Sequence, residues 1–191
     1  MADFPKALRP VLEFEGVRFD DAGTPIPGKT GYANHPSDNG KETNWGITKG
    51  TALMNGYVGE MKDLPYERAT VIYKAKYWDR MRGDVQPDQE IAGKMFDVGV
   101  NMGMRIVIEF LQDTLNVLNK GGTLWPDRTV DGAMGDGTMA GLASALGQGP
   151  RFQEAIMRAL TALQRVRYVQ ISKGNPKQED FTLGWLLRGE A

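Results

Sequence analysis

The chain has 191 residues, with 23 Lys+Arg against 24 Asp+Glu, one His and no Cys. A chain of this length buries about 70% of the surface its unfolded form exposes, so it folds without a disulfide or metal staple. The absence of Cys removes thiol nucleophiles, disulfides and Cys-ligated zinc, His35 alone cannot make a His-rich metal site, and a net charge of -1 disfavours duplex DNA as a partner.

From the N-terminus, MADFPKALRPVLEFEG is too polar for a secretory signal, and nowhere does an apolar run reach the about 18 residues of a membrane span. Synthesis in the cytoplasm, with no membrane insertion, is the expectation. Asp3 can cap a first helix whose apolar residues Phe4, Leu8, Val11 and Leu12 recur at three- and four-residue steps before Gly16. Residues 16–47 then change character. FDDAGTPIPGKTGY and NHPSDNGKETNWG are crowded with turn residues, which predicts an irregular stretch with at most a small hairpin around Gly31 to Ile47. Long loops inside compact domains are usually functional, and Tyr32, Trp45 and Ile47 offer apolar anchors for this one.

Thr48 can cap a short helix ending at Gly56, and Pro65 opens another that runs through Tyr73, Tyr77 and Trp78 to about Met81. Ile91, Met95, Val98 and Met102 form the next helical stripe, followed after Gly103 by Val107, Leu111, Leu115 and Leu118. Gly121 and Gly122 stop it, and the turn-rich DRTVDGAMGDG leads into Met139, Leu142, Ala143 and Leu146. The longest helix starts after Pro150, with Phe152, Ile156, Leu160, Leu163 and Val166 expected to face inward, and a last short helix carries Phe181, Trp185 and Leu186. The whole reads as a mainly α, lysozyme-like helical globule with a small irregular or β-hairpin lobe at residues 16–47.

Several chemistries are missing. The three serines, Ser37, Ser144 and Ser172, lie in no G-x-S-x-G elbow. GKT at 28–30 lacks the earlier glycine of a phosphate loop, and DGAMGDGT at 131–138 lacks the ligand alternation of a calcium loop. What remains is Glu15, at the end of the first helix beside Leu12, Phe14 and Phe19, followed by the polar loop with Asp38 and Thr43. An apolar setting raises a carboxyl's pKa toward that of a general acid, while a polar loop keeps a second carboxylate ionised; glycoside hydrolysis uses such a pair. A solvated surface Glu is the competing reading.

The run GYANHPSDNGKETNWGIT at 31–48 resembles the signature of glycoside hydrolase family 108, the bacterial and phage N-acetylmuramidases. FDVGVNMGMRIVIEFLQDTLNVL, VDGAMGDGTMAGL and the closing GWLLR at 184–188 are similar to the peptidoglycan-binding-type half found with that family. The resemblance implies a catalytic part over 1–88 and a helical peptidoglycan-binding-type part over 89–191, packed as one globule. It implies Glu15 as general acid with Asp38 and Thr43 as the later members of a Glu-Asp-Thr trio, and peptidoglycan glycan strands as the partner, with no nucleic acid and no cofactor. Tyr32, Asn44, Trp45 and Asn101 become candidate substrate contacts, against core packing or a structural hydrogen bond as the plain alternatives. Tyr77 and Trp78 read as core, and His35 as a loop hydrogen-bonder. Arg151, Arg158 and Arg165 recur every seven residues and read as a solvated helix face.

The sequence departs from the family pattern at Val17, where a second glycine is usual, at His35, and in fourteen extra residues, 17–30, between Glu15-Gly16 and Gly31-Tyr32. Glu13 is therefore a rival acid, and Asp20 and Asp21 are rivals for the second carboxylate. The expected activity is hydrolysis of the β-1,4 bond between N-acetylmuramic acid and N-acetylglucosamine by a monomeric enzyme that reaches the wall or periplasm through a holin or a dedicated export route. The alternatives are a lytic transglycosylase, betrayed by an anhydro product, and a non-catalytic peptidoglycan-binding or secretion-accessory protein whose cleft the insertion disables.

Overall fold

The computed structural model describes residues 1–34 and 42–188. The described residues are mainly helical, with two small antiparallel hairpins, and divide into two compact units, Ala2–Asp84 and the residues from Val85 onward. No helix among them is long and apolar enough to cross a membrane.

In the first unit, helix α1 spans Phe4–Phe14. Asp3 caps it by accepting from the Lys6 N–H at 3.0 Å, and Pro5 occupies its first turn, where a missing N–H costs nothing. Pro10 lies inside the helix but on its exposed side, where water can serve the carbonyl left without a donor. The buried face is Phe4, Ala7, Leu8, Val11 and Leu12, and each large side chain so buried contributes about 1.5–3 kcal/mol. Gly16, with φ +86°, ends the helix in the left-handed region open to glycine.

The stretch expected to be irregular contains two hairpins. Strands β1 (Val17–Phe19) and β2 (Pro25–Thr30) pair antiparallel, with Val17 opposite Thr30 and Phe19 opposite Pro25. Their turn is held by the Asp20 carboxylate, which accepts from the Thr24 N–H at 2.7 Å. The second hairpin joins β3 (Thr43–Asn44) to β4 (Ile47–Thr48) through Trp45 and Gly46. Both turn residues have positive φ, 55° and 70°, the two-residue geometry whose twist matches the flanking strands. Helix α2 (Lys49–Met54) follows, capped by the Thr48 hydroxyl, and α3 spans Tyr66–Tyr73. Instead of continuing as one α-helix to Met81, the chain widens into a π-turn at Lys74–Trp78 and tightens into a 3-10 turn at Asp79–Met81. Asp84 fastens this end, accepting from the Trp78 indole at 2.7 Å and the Lys74 ammonium at 2.8 Å.

The second unit comprises α4 (Gln89–Met102), α5 (Met104–Leu118), α6 (Asp136–Gly147), α7 (Pro150–Gly174) and α8 (Glu179–Arg188). Ile91, Met95, Phe96, Val107, Leu111, Leu115, Leu142, Ile156 and Leu160 are fully buried. On α7 the inward stripe runs Ile156, Leu160, Gln164, Tyr168, Ser172, stepping by four, and Val166 is 53% exposed. The expected Val166 position gives way because buried polar residues carry the stripe onward: Gln164 donates to the Tyr168 hydroxyl at 3.1 Å. Trp185 of α8 stacks on Tyr168, with ring centroids 5.4 Å apart.

Buried amides order the long connection between α5 and α6. Gln112, 1% exposed, donates to the Asp131 carboxylate, the Ala133 carbonyl and the Thr138 hydroxyl, and accepts from the N–H groups of Asp131 and Gly132. The hydrogen bonds from Gln112 and from the Ala133 N–H hold the Asp131 carboxyl below the usual aspartate range. Asn116 exchanges two hydrogen bonds with the backbone of Arg128, and Asn119 donates to Asp127 at 2.6 Å.

Candidate active site

Glu15 is the cap residue of α1, half-buried, with its N–H on the Val11 carbonyl at 3.1 Å. Residues 17–30, which separate the two halves of the signature, leave as the β1–β2 hairpin and return to their starting point. Val17 is fully buried at the root and pairs with Thr30, so a large apolar side chain at this position anchors the hairpin. Gly31, φ +68°, then lies directly on Glu15: a Cβ there would collide with the Glu15 carbonyl oxygen. The chain segments 15–16 and 31–32, fourteen residues apart in sequence, are adjacent in space.

The second hairpin closes on the same place. The Trp45 N–H donates to the Thr30 carbonyl at 3.0 Å, and Ala33 and Thr43 exchange backbone hydrogen bonds of 3.0 and 2.9 Å. Gly46 abuts the Glu15 side chain, since a Cβ at 46 would stand 2.9 Å from Glu15 Cγ and 3.3 Å from Cδ. The same Cβ would stand 2.6 Å from the Tyr73 hydroxyl oxygen. Glu15 and Tyr73 thus converge on one glycine, which must be a glycine both for φ and for space.

Asn44 and Trp45 lie behind this turn. Asn44 is fully buried and donates to the Met61 carbonyl at 2.7 Å, and the Trp45 indole donates to the Leu64 carbonyl at 2.7 Å with its ring 5.3 Å from that of Tyr66. The Asn44 amide N–H and the Trp45 indole N–H are thus both spent on the protein's own backbone. A bulky residue at positive φ is strained by roughly 1–3 kcal/mol, and these bonds over-determine the conformation. Tyr32 is 42% exposed and donates to Glu42 Oε1 at 2.8 Å, and Lys49 reaches the other Glu42 oxygen at 3.1 Å. The Tyr32 and Lys49 hydrogen bonds hold the Glu42 carboxyl below the usual range, and the Glu42 bond pushes the Tyr32 phenol above its own.

Thr43 is half-buried on β3, two residues before the turn that touches Glu15. Asp38 and His35 lie outside the described residues. Asn101 is half-buried near the end of α4, in the second unit. The rival carboxylates have other engagements: Glu13 pairs with Arg9 at 2.9 Å on the exposed side of α1, and Asp20 holds the β1–β2 turn. Asp21 is exposed in that turn. Trp78 is fully buried, as a core residue should be, while Tyr77 is half-buried and packs on Tyr73 with centroids 5.9 Å apart. Tyr73 went unrecognised in the sequence because it falls on the same helical stripe as Tyr77, and only its burial and its hydroxyl's bond to the Trp45 carbonyl set it apart. Among the described residues no group of three His, Asp or Glu side chains could hold a metal ion.

Residues 9–103 match the family described as Glycosyl hydrolase 108, and residues 106–190 match the Predicted Peptidoglycan domain. No curated protein sequence matches the chain. Among solved structures, the "Structure of Brucella abortus SagA" is similar at a TM-score of 0.65 and 25% identity, covering 97% of this chain and 88% of that one. The two family models together span most of the sequence: a glycosyl hydrolase 108 domain over residues 9–103 is joined to a peptidoglycan domain over residues 106–190.

Proposed function

We propose that the protein is an N-acetylmuramidase that hydrolyses the β-1,4 bond between N-acetylmuramic acid and N-acetylglucosamine in peptidoglycan, with Glu15 as the general acid. The observation that carries this reading is the return of the 17–30 hairpin to its own root, which sets Gly31 and Gly46 against Glu15 despite the insertion. An insertion that had disabled the cleft would have separated these segments. Glu15 is preferred to Glu13 because its side chain lies against the signature turn at Gly46, whereas Glu13 lies on the exposed side of α1.

In this mechanism Glu15 protonates the leaving glycosidic oxygen, and Asp38 with Thr43 steadies the oxocarbenium-like transition state or positions the attacking water. Tyr32, the most exposed aromatic of the signature, is the candidate for sugar contact. Asn44 and Trp45 act from behind, holding the turn against Glu15. Asn101 is a proposed substrate contact, and the peptidoglycan domain supplies affinity for the same polymer. No metal or organic cofactor enters, and the enzyme works as a monomer on the wall after release from the cytoplasm.

Glu15→Gln keeps the shape and removes the proton. It should lower release of reducing ends from purified sacculi by at least about a thousandfold while the circular dichroism spectrum is unchanged. A fully active Glu15→Gln enzyme sinks the assignment. Mass spectrometry of the wild-type digest reads the bond chemistry: reducing N-acetylmuramic acid ends support hydrolysis, whereas products lighter by one water identify a transglycosylase.

A further inference from the structure

We infer that Tyr73 is a positioning residue for Glu15, acting through its hydroxyl and the Trp45–Gly46 turn. The inference rests on the proposed role of Glu15. Tyr73 is 2% exposed, so it has no surface to offer a substrate. Its O–H donates to the Trp45 carbonyl at 3.0 Å, the peptide group that leads into Gly46. The same oxygen and the Glu15 side chain crowd Gly46 together, at 2.6 Å and 2.9 Å from where a Cβ would stand. The hydroxyl therefore pins the one turn against which the Glu15 side chain rests.

Two further features support a task beyond filling space. Trp45 holds a positive φ of 55°, a strained state for a bulky residue, and its carbonyl is the group Tyr73 secures. Tyr73 is also the last residue of α3 before the π-turn at Lys74–Trp78, and such turns, which add a residue to the helical repeat, recur at functional sites. A buried phenylalanine would occupy the same volume. Only the hydroxyl distinguishes tyrosine here, and it donates to the turn.

The test is steady-state hydrolysis of soluble glycan oligomers by the full chain. Tyr73→Phe should lower kcat by about 10- to 100-fold with KM changed less than about twofold, because only the placement of the acid is loosened. 4-Aminophenylalanine at position 73, introduced by codon suppression, restores a donor on the same ring and should bring kcat back to within about threefold of wild type. An unchanged kcat in Tyr73→Phe, a loss expressed in KM alone, no recovery with the amino variant, or a failure of Tyr73→Phe to fold would each overturn the inference. Glu15→Gln in the same assay separates the two claims. If it is active, the role of Glu15 falls; if it is inactive while Tyr73→Phe is normal, only the role of Tyr73 falls.

Discussion

The two units order their irregular segments by different means. In the first, the described residues between Gly16 and Gly46 are set largely by backbone: two hairpins, positive φ at Gly16, Gly31, Trp45 and Gly46, and main-chain bonds from Trp45 to Thr30 and between Ala33 and Thr43, with the side chains of Asp20, Asn44, Trp45 and Tyr73 securing the turns. In the second, the connection between α5 and α6 is set by side chains, with the buried amides of Gln112 and Asn119 and the half-buried Asn116 gripping residues 127–138. Backbone-defined turns tolerate no added Cβ but place a neighbouring group closely. An amide clamp depends on one residue and gives when that residue is lost. The first device suits a site where a carboxyl must be held to a fraction of an ångström; the second suits a scaffold.

Substitutions that attack one device and spare the other sharpen this contrast. Gly46→Ala should do most damage: the methyl would meet both the Tyr73 hydroxyl and the Glu15 side chain at a φ that disfavours alanine. Hydrolysis of soluble glycan should fall by on the order of a hundredfold, with a stability loss of about 1–3 kcal/mol. Near-normal kinetics for Gly46→Ala would mean the turn does not position Glu15. Gln112→Ala should act oppositely, costing about 2–4 kcal/mol in urea unfolding because the Asp131 and Gly132 N–H groups lose their acceptor, while kcat on soluble glycan stays within about twofold. A cost below about 0.5 kcal/mol would show that water replaces the clamp.

Acid should separate the units more gently. Asp131 and Asp84 both have depressed pKa values, Asp131 chiefly from the Gln112 hydrogen bond and Asp84 chiefly from the Lys74 and Trp78 hydrogen bonds. For a depressed carboxyl the stabilisation is complete above its unfolded pKa, near 3.8 for both residues, and is lost as pH falls through the lower folded value. Asp131→Asn should therefore be less stable than wild type at neutral pH, with the gap closing below about pH 4 in urea titrations. A gap that stays constant to pH 2 would remove the carboxylate from the explanation. Glu13→Gln should have the smallest effect, with activity within about twofold of wild type, since exposed i,i+4 pairs contribute little. A large loss there would return Glu13 to candidacy as the acid.

The helices were legible because their apolar residues repeat at helical spacing and ends carry caps such as Asp3 and Thr48, though the break after Tyr73 was not. The β1–β2 hairpin was not legible. Pro25, Pro27 and Gly28 interrupt the alternation that marks a strand, and its burial pattern leaves only Val17 inside. Glu15 was visible as a carboxyl ending a helix, preferred to Glu13 because Gly16 follows it; that its side chain lies against Gly46 depends on the return of the β1–β2 hairpin, which spacing does not reveal. Asn44 and Trp45 looked like sugar contacts because polar-edged aromatics and amides line wet clefts. Their burial follows from partners at 61–64, a segment with no sequence mark of its own. Gln112 and Gln164 were invisible for the related reason that a polar residue in a helical stripe reads as surface.

The closed root of the β1–β2 hairpin also makes its far end a port for new sequence. Because Val17 and Thr30 are joined and Gly31 rests on Glu15, the exposed residues from Asp21 to Gly23 can be lengthened or replaced while the root remains fixed. Loop closure grows only slowly with length, about 0.6 kcal/mol per doubling. A peptide tag or a small binding module spliced into that tip would travel with the glycosidase as an address label, letting the cargo be chosen independently of the proposed active site at its base.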